Sequence, residues 1–261
     1  MLRTKDLYYN YKEKPVLENI NFELVPGEIL GIIGPNGCGK TTLLGNLNKN
    51  LSPKGGCVMI RDTDLEDLKK KEIAKEIAVI PQTNEIKFSF TVREIVSMGR
   101  MPFQEAFQGE SYDDIEIIDD AIQKAGISDM TERYINTMSG GERQKVIIAR
   151  ALAQTPKILL MDEPTLHLDI SAQFDILDLI SELSKKEGLT VVIVSHDLSM
   201  AARYCDRIMM IHNHGIHAMG NTEDVLTPDN MRTVFDVDAE LTKDSKTGRN
   251  MVLLHGSAAK N

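Results

Sequence analysis

Apolar positions along this chain follow two patterns. Uninterrupted runs at residues 29–33, 77–80, 158–161 and 190–194 have no polar face, which predicts strands buried on both sides, as in a parallel sheet covered by helices. Near the N-terminus the pattern alternates. Leu2, residues 6–9, Val16-Leu17 and residues 20–24 read as short antiparallel strands, broken at Lys14-Pro15 and Pro26-Gly27. Residues 57–60 predict another strand and residues 65–74 a charged helix. Between about Phe88 and Asn136 no strand pattern occurs. There residues 91–96 begin a helix that residues 99–103 break, and residues 111–125 predict an acidic amphipathic helix. Its apolar face is Ile115, Ile118 and Ile122, with Asp113, Asp114 and Glu116 expected on the solvated face.

The fold class that follows is α/β: a mixed, largely parallel sheet with helices and an N-terminal antiparallel β subdomain, interrupted by an inserted α-helical subdomain. The expected boundaries are 1–87 and 155–261 for the core and 88–154 for the insertion. Toward the C-terminus, residues 207–211 and 216–219 read as a hairpin turning at 213–215. That places His212, His214 and His217 at an exposed tip, a reading preferred over a metal site. A short helix starts at Thr227-Pro228, residues 246–248 turn, residues 251–254 form a last strand, and residues 255–261 are expected to be disordered.

With 261 residues the chain is long enough for a sizeable core, and its net charge of −9 argues against a nucleic-acid-binding surface. No apolar run approaches the roughly 18 residues that span a bilayer, and residues 1–11 contain no signal-peptide apolar region. A cytoplasmic protein is expected, associated with a membrane only through a partner. Three scattered thiols, Cys38, Cys57 and Cys205, lack metal or disulfide spacing and fit a reduced compartment.

The strongest chemical signal follows the run at 29–33: Gly34-Pro35-Asn36-Gly37-Cys38-Gly39-Lys40-Thr41-Thr42. Glycines here let successive backbone N–H groups curl around a phosphate that side chains would block. Lys40 can reach the β- and γ-phosphates as a mobile point charge, Thr41 can ligate Mg²⁺, and the helix that follows presents its positive end. Ser139-Gly140-Gly141-Glu142 has capping-box spacing, but a cap needs no paired glycines. The pair makes a second bare anion site without a lysine, which implies a partner surface. Asp162 and Glu163 tip the strand at 158–161, where one acid can hold Mg²⁺ and the next can deprotonate a water. Gln82 and His196 follow two other buried strands, at the edge where open α/β sheets bind ligands. Tyr11 either packs locally or stacks on a base.

Together these motifs resemble the nucleotide-binding subunit of ABC transporters, over nearly the whole chain from Tyr11 to His196. The resemblance implies an ATPase with a P-loop NTPase core that uses ATP and Mg²⁺. By it, Tyr11 stacks on adenine, residues 34–42 with Asn36 and Cys38 are the Walker A loop, and Gln82 is the glutamine loop. Thr41, Gln82 and Asp162 hold the metal, Glu163 is the general base, Asp169 belongs to the D-loop and His196 is the switch histidine. Residues 139–142 are the family signature, which acts on ATP held by a second copy in a head-to-tail dimer. Helices near residues 82–100 would carry motion to transmembrane permease subunits at the cytoplasmic face, served indirectly by a substrate-binding protein, with no nucleic acid involved. Met138 stands where leucine is usual, Leu166 where a small polar residue is usual, and Cys38 where serine is common.

Met98-Gly99-Arg100 with Pro102, Gln173 and the 246–249 tail resemble importers of iron–siderophore complexes, haem or cobalamin. A cytosolic ABC ATPase acting in assembly is the alternative; it would share the catalytic motifs but lack the Gly-Arg-x-Pro segment and the long tail. A DNA-repair ATPase would need a coiled-coil insertion and a basic surface.

Overall fold

A computed structural model of the chain describes residues 1–82, 88–104 and 111–258. Its first half contains β1 (Leu2–Tyr11), β2 (Lys14–Glu23), β3 (Ile29–Ile33), α1 (Lys40–Leu47), β4 (Gly55–Ile60), β5 (Thr63–Asp64), α2 (Lys70–Ala74), β6 (Ile77–Ile80), α3 (Val92–Ser97) and α4 (Tyr112–Lys124). Then come α5 (Gly140–Ala153), β7 (Ile158–Asp162), α6 (Ile170–Glu187), β8 (Thr190–Val194), α7 (Leu198–Tyr204), β9 (Arg207–His212), β10 (Gly215–Asn221), α8 (Thr222–Val225), α9 (Pro228–Phe235), β11 (Val237–Lys243) and β12 (Asn250–Ser257). The α/β fold divides into two compact units, Met1–Asp67 with Thr190–Asn261, and Leu68–Leu189.

In the first unit, β3 lies between β8 and β9, parallel to both, and β10 closes the mixed sheet antiparallel to β9. Every residue of β3 and β8 is buried, as their unbroken apolar runs require. A second sheet has the order β2-β1-β4-β5 and is antiparallel throughout. Its first two strands are longer than the sequence pattern predicts: Pro15 does not break β2 but pairs with Asn10 near its start. An edge strand tolerates proline because the missing N–H can face outward, and the chain reverses instead at Lys12, where φ is 55°.

The turn at 213–215 is present. Asn213 and His214 both have positive φ, as a tight two-residue hairpin turn requires, and His214 and His217 are exposed while His212 is half-buried. β11 was not anticipated, because its polar alternation is weak, yet it pairs along its length with β12. Residues 255–257, expected to be disordered, complete β12, and the Ala258 N–H donates to the Asp236 carbonyl. Residues 259–261 lie outside the described residues.

In the second unit, β6 and β7 pair in parallel, and α3, α4 and α5 enclose a core of Val92, Ile95, Val96, Ile118, Ile122, Val146 and Ala149. The helix expected at 65–74 is not continuous: Leu65–Asp67 is a single 3-10 turn, and Lys69 is extended at φ −70°, ψ 148° before α2 begins. On α4, Ile118 and Ile122 are buried as expected but Ile115 is 36% exposed. Asp114 takes the inward place instead, so its assignment to a solvated face is corrected. The cause is Arg100, whose buried guanidinium pairs with it at 2.7 Å. Among the described residues no helix is long and apolar enough to cross a membrane.

Candidate functional site

The phosphate loop connects the C-terminal end of β3 to the start of α1. Gly34 lies so close to β9 that a Cβ there would stand 2.3 Å from the Ile211 carbonyl oxygen. Gly37, at φ +79°, faces open space, and Gly39 caps α1 in a left-handed conformation, φ 106°, that a side chain would strain. Val16 and Leu17 of β2 press against Gly39, which joins the loop to the hairpin that ends β1 at Tyr11. Tyr11 is 51% exposed and meets Tyr9 edge-to-face at 5.1 Å. Asn36 and Thr41 are exposed, and Thr42 is buried.

Lys40 is drawn into its own loop. Its side chain folds back into the loop, 7% exposed, and Nζ donates to the Gly34 carbonyl at 2.8 Å and the Pro35 carbonyl at 3.1 Å. An ammonium shared by two carbonyls stands ready to exchange them for phosphate oxygens. The Cys38 Sγ lies 4.0 Å from the same nitrogen, and burial pushes this thiol up against the lowering influence of Lys40.

His196 follows β8, and the Ser195 N–H donates to the Ile32 carbonyl, which ties the segment to the end of β3. Asp197 then caps α7 by accepting from the Ser199 and Met200 N–H groups at 2.9 and 3.0 Å. The exposed His196 and the phosphate loop therefore leave the same edge of two adjacent parallel strands.

The second unit brings together Gln82, Asp162, Glu163, Ser139 to Glu142 and Asp169. Asp162 ends β7 and is 6% exposed. Glu163 follows with φ 49°, an uncommon backbone state for a residue with a side chain, and such strain collects at functional sites. Gln82 Nε2 donates to the Glu163 Oε2 at 3.0 Å, so the glutamine meets the expected base directly. Residues 83–87, which continue the glutamine segment, lie outside the described residues.

The capping box at the start of α5 forms in full: Ser139 Oγ accepts from the Glu142 N–H, and the Glu142 carboxylate accepts from the Ser139 N–H at 2.7 Å. That backbone donor, the Ser139 hydroxyl and Arg133 at 3.0 Å hold the Glu142 carboxyl below its usual range. The paired glycines have a packing cause as well. A Cβ on Gly141 would stand 2.8 Å from the Ala172 Cβ, and one on Gly140 would stand 3.2 Å from Leu168. Asp169 is the N-cap of α6, accepting from the Ala172 N–H at 2.9 Å. The starts of α5 and α6 thus lie side by side, and at α5 the first two residues, Gly140 and Gly141, carry no side chain. Sequence reasoning missed Arg133, Ala172 and the pair Arg100–Asp114; only a Ser-x-x-Asp capping pattern at Ser111 pointed to the last.

Thr41 in the first unit carries a hydroxyl oxygen, and Asp162 and Gln82 in the second carry carboxylate and amide oxygens, donors of the hard kind that Mg²⁺ takes. Among the described residues no group of three or more His, Cys, Asp or Glu could hold a metal ion.

A profile of the family described as "ABC transporter" matches residues 17–166. The chain is 38% identical over 255 residues to "Probable siderophore transport system ATP-binding protein YusV" of Bacillus subtilis (strain 168), covering 98% of this chain and 93% of the relative. It is 37% identical to the Iron(3+)-hydroxamate import ATP-binding protein FhuC of the same organism, over 97% and 94% of the two chains. Among solved structures, a proposed metal-chelate type ABC transporter in an inward-facing conformation superposes with a TM-score of 0.85 at 26% identity, covering 97% of this chain and 96% of that one. Profile and relatives span the phosphate loop, the capping box at Ser139 and the Asp162-Glu163 strand end; the chain belongs to the ABC transporter family, as one of its ATP-binding ATPases.

Proposed function

We propose that this chain is the ATP-hydrolysing subunit of an importer that moves a metal chelate, an iron–siderophore complex, haem or cobalamin, through a membrane permease. The observation that carries the reading is the presence of two glycine-bared helix starts, α1 behind Gly39 and α5 at Gly140-Gly141, of which only the first opens on a lysine. A lysine-free site that cannot hold a triphosphate alone fits a second copy arranged head to tail, its ATP closed over by Ser139, Gly140 and Gly141. Similarity to siderophore and hydroxamate import proteins over nearly the whole chain supports the cargo class.

In this reading the N–H groups of residues 34–42 cradle the β-phosphate, Lys40 leaves the Gly34 and Pro35 carbonyls for the β- and γ-phosphates, and Tyr11 stacks on adenine. Thr41, Asp162 and the Gln82 amide oxygen would hold Mg²⁺, which would supply neutralisation of phosphate charge. Glu163 accepts the proton of the attacking water, and the Gln82 N–H orients its carboxylate. His196 contacts the γ-phosphate and Asp169 faces the second copy. The assembly sits at the cytoplasmic face of the membrane, peripheral through its permease, with a substrate-binding protein delivering cargo.

Glu163→Gln should leave ATP binding intact, lower hydrolysis about 10²–10⁴-fold and trap an ATP-bound dimer visible by size-exclusion chromatography. Unimpaired hydrolysis in that variant would remove Glu163 as the base.

A further inference from the structure

We propose that Arg100, through Asp114 and the carbonyl of Ala153, is the positioning residue that aims α5, and with it the turn Ser139–Gly141, at the ATP of a second copy. The inference rests on the head-to-tail reading above and adds to it the part of the chain that sets the angle of the signature helix.

Arg100 is a charged side chain in an apolar helical core, with only 7% of its surface exposed. A guanidinium in such a place is tolerated only when fully paired. Here Nε donates to Asp114 Oδ1 at 2.7 Å, Nη1 donates to the Ala153 carbonyl at 2.8 Å, and the guanidinium carbon lies 4.0 Å from the Phe103 ring centre. Ala153 ends α5, so its carbonyl is among those a helix cannot satisfy internally, and a cation there complements the negative helix end. The preceding residue reinforces the grip. A Cβ on Gly99 would stand 2.2 Å from the Arg150 carbonyl oxygen and 2.9 Å from the Ala153 Cβ, so backbone lies directly on the last turn of α5.

Asp114 is held just as firmly. It is the third helical residue of α4, accepting from the Ser111 N–H at 3.1 Å and the Ser111 hydroxyl at 2.9 Å. Arg100 therefore joins the exit of α3, the start of α4 and the end of α5 by directional bonds. Gln154 adds a bond to the Ile77 carbonyl at 2.8 Å just beyond the end of α5. Apolar contacts alone would let α5 slide or tilt, whereas a planar fork shared by two acceptors fixes its direction. The 14 residues of α5 span about 21 Å, so a tilt of about 3° at Ala153 moves Gly140 by about 1 Å. A displacement of that size in a site can slow chemistry roughly 100-fold.

The test uses the full chain in its ATP-hydrolysing assembly, with two copies carrying different affinity tags so that mixed pairs can be isolated. Arg100→Met alone would leave Asp114 buried and unpaired and could fail to fold, so it is combined with Asp114→Asn, whose amide oxygen still accepts from Ser111. In one mixed pair R100M/D114N and E163Q share a copy; in the other they are on different copies. When they share a copy, the surviving base works on ATP that meets the altered turn, and hydrolysis should fall roughly 10- to 100-fold below a pair carrying E163Q on one copy alone. When they are on different copies, the surviving base meets a native turn, and the rate should equal that control. Arg100→Lys keeps the charge but cannot fork, and should give an intermediate loss when it shares a copy with E163Q.

A readout independent of turnover is ATP protection of Cys38 from alkylation in a pair with R100M/D114N on one copy. Protection should weaken on the native copy and persist on the altered one. Equal loss in both arrangements, or no loss in either, overturns the proposal. Wild-type hydrolysis by E163Q pairs overturns the reading on which it rests, and that failure shows in the control alone.

Discussion

Gly141→Ala tests the close approach of α5 and α6. The added methyl would stand 2.8 Å from the Ala172 Cβ, about 0.7 Å inside the ~3.5 Å at which two carbons meet comfortably. Both atoms sit on helix backbones, so neither can swing away as the end of a long side chain could. Overpacking of this kind costs about 1–3 kcal/mol, against which alanine returns up to about 1 kcal/mol of helix propensity. A net loss of about 1–2 kcal/mol is expected. Ala172→Gly alone should cost about 1 kcal/mol through propensity, but in G141A/A172G the collision disappears, so the two changes should couple favourably by about 1–2 kcal/mol.

Urea unfolding followed by circular dichroism gives the four stabilities, and steady-state ATP hydrolysis gives the four activities. Because the methyl points at α6 and leaves the first N–H groups of α5 bare, A172G should restore hydrolysis as well as stability. Strictly additive stabilities would refute the contact between the helix starts. Stability restored without hydrolysis would mean that a side chain at residue 141 also obstructs bound nucleotide.

Acid sensitivity should depend on the buried pair. The Arg100 guanidinium, followed by the Ser111 N–H, holds Asp114 below its ordinary 3.8, so the stabilisation is present above that pH and is lost as pH falls through the lowered value. Melting temperatures of R100M/D114N should accordingly fall less steeply below about pH 4 than those of the native chain; parallel curves would count against the pair. Thiol chemistry gives another check. Burial raises the Cys38 thiol and pushes Cys205 up to about 12, so iodoacetamide should modify Cys205 only on unfolding and Cys38 slowly, faster with rising pH and slower with ATP. Peptide mass mapping reads both, and rapid Cys205 labelling of the folded chain would contradict its raised pKa.

Much of the architecture is legible in short windows. The runs that became β3, β6, β7 and β8 have no polar face, and the capping box at Ser139 forms, because a cap is decided within four residues. Pattern reading fails where the decision belongs to a distant neighbour. Pro15 looked like a break but sits near the start of an edge strand, β11 has little apolar signal until β12 covers it, and the charge of Asp114 placed it outside until Arg100 claimed it.

By itself the sequence determined the phosphate loop, the acids that end β7, the capped start of α5 and the family they make together, since each is a run of adjacent residues whose chemistry needs no neighbour beyond the run. Tertiary structure alone decided that Lys40 folds onto its own loop, that Gln82 donates to Glu163, that Gly141 makes room for Ala172, and that Arg100 grips the end of α5. Three of these join residues from 31 to 81 positions apart, and the fourth depends on how a flexible side chain is enclosed. Periodicity carries information along a chain, whereas side-chain pairing across space is fixed only when helices and strands pack.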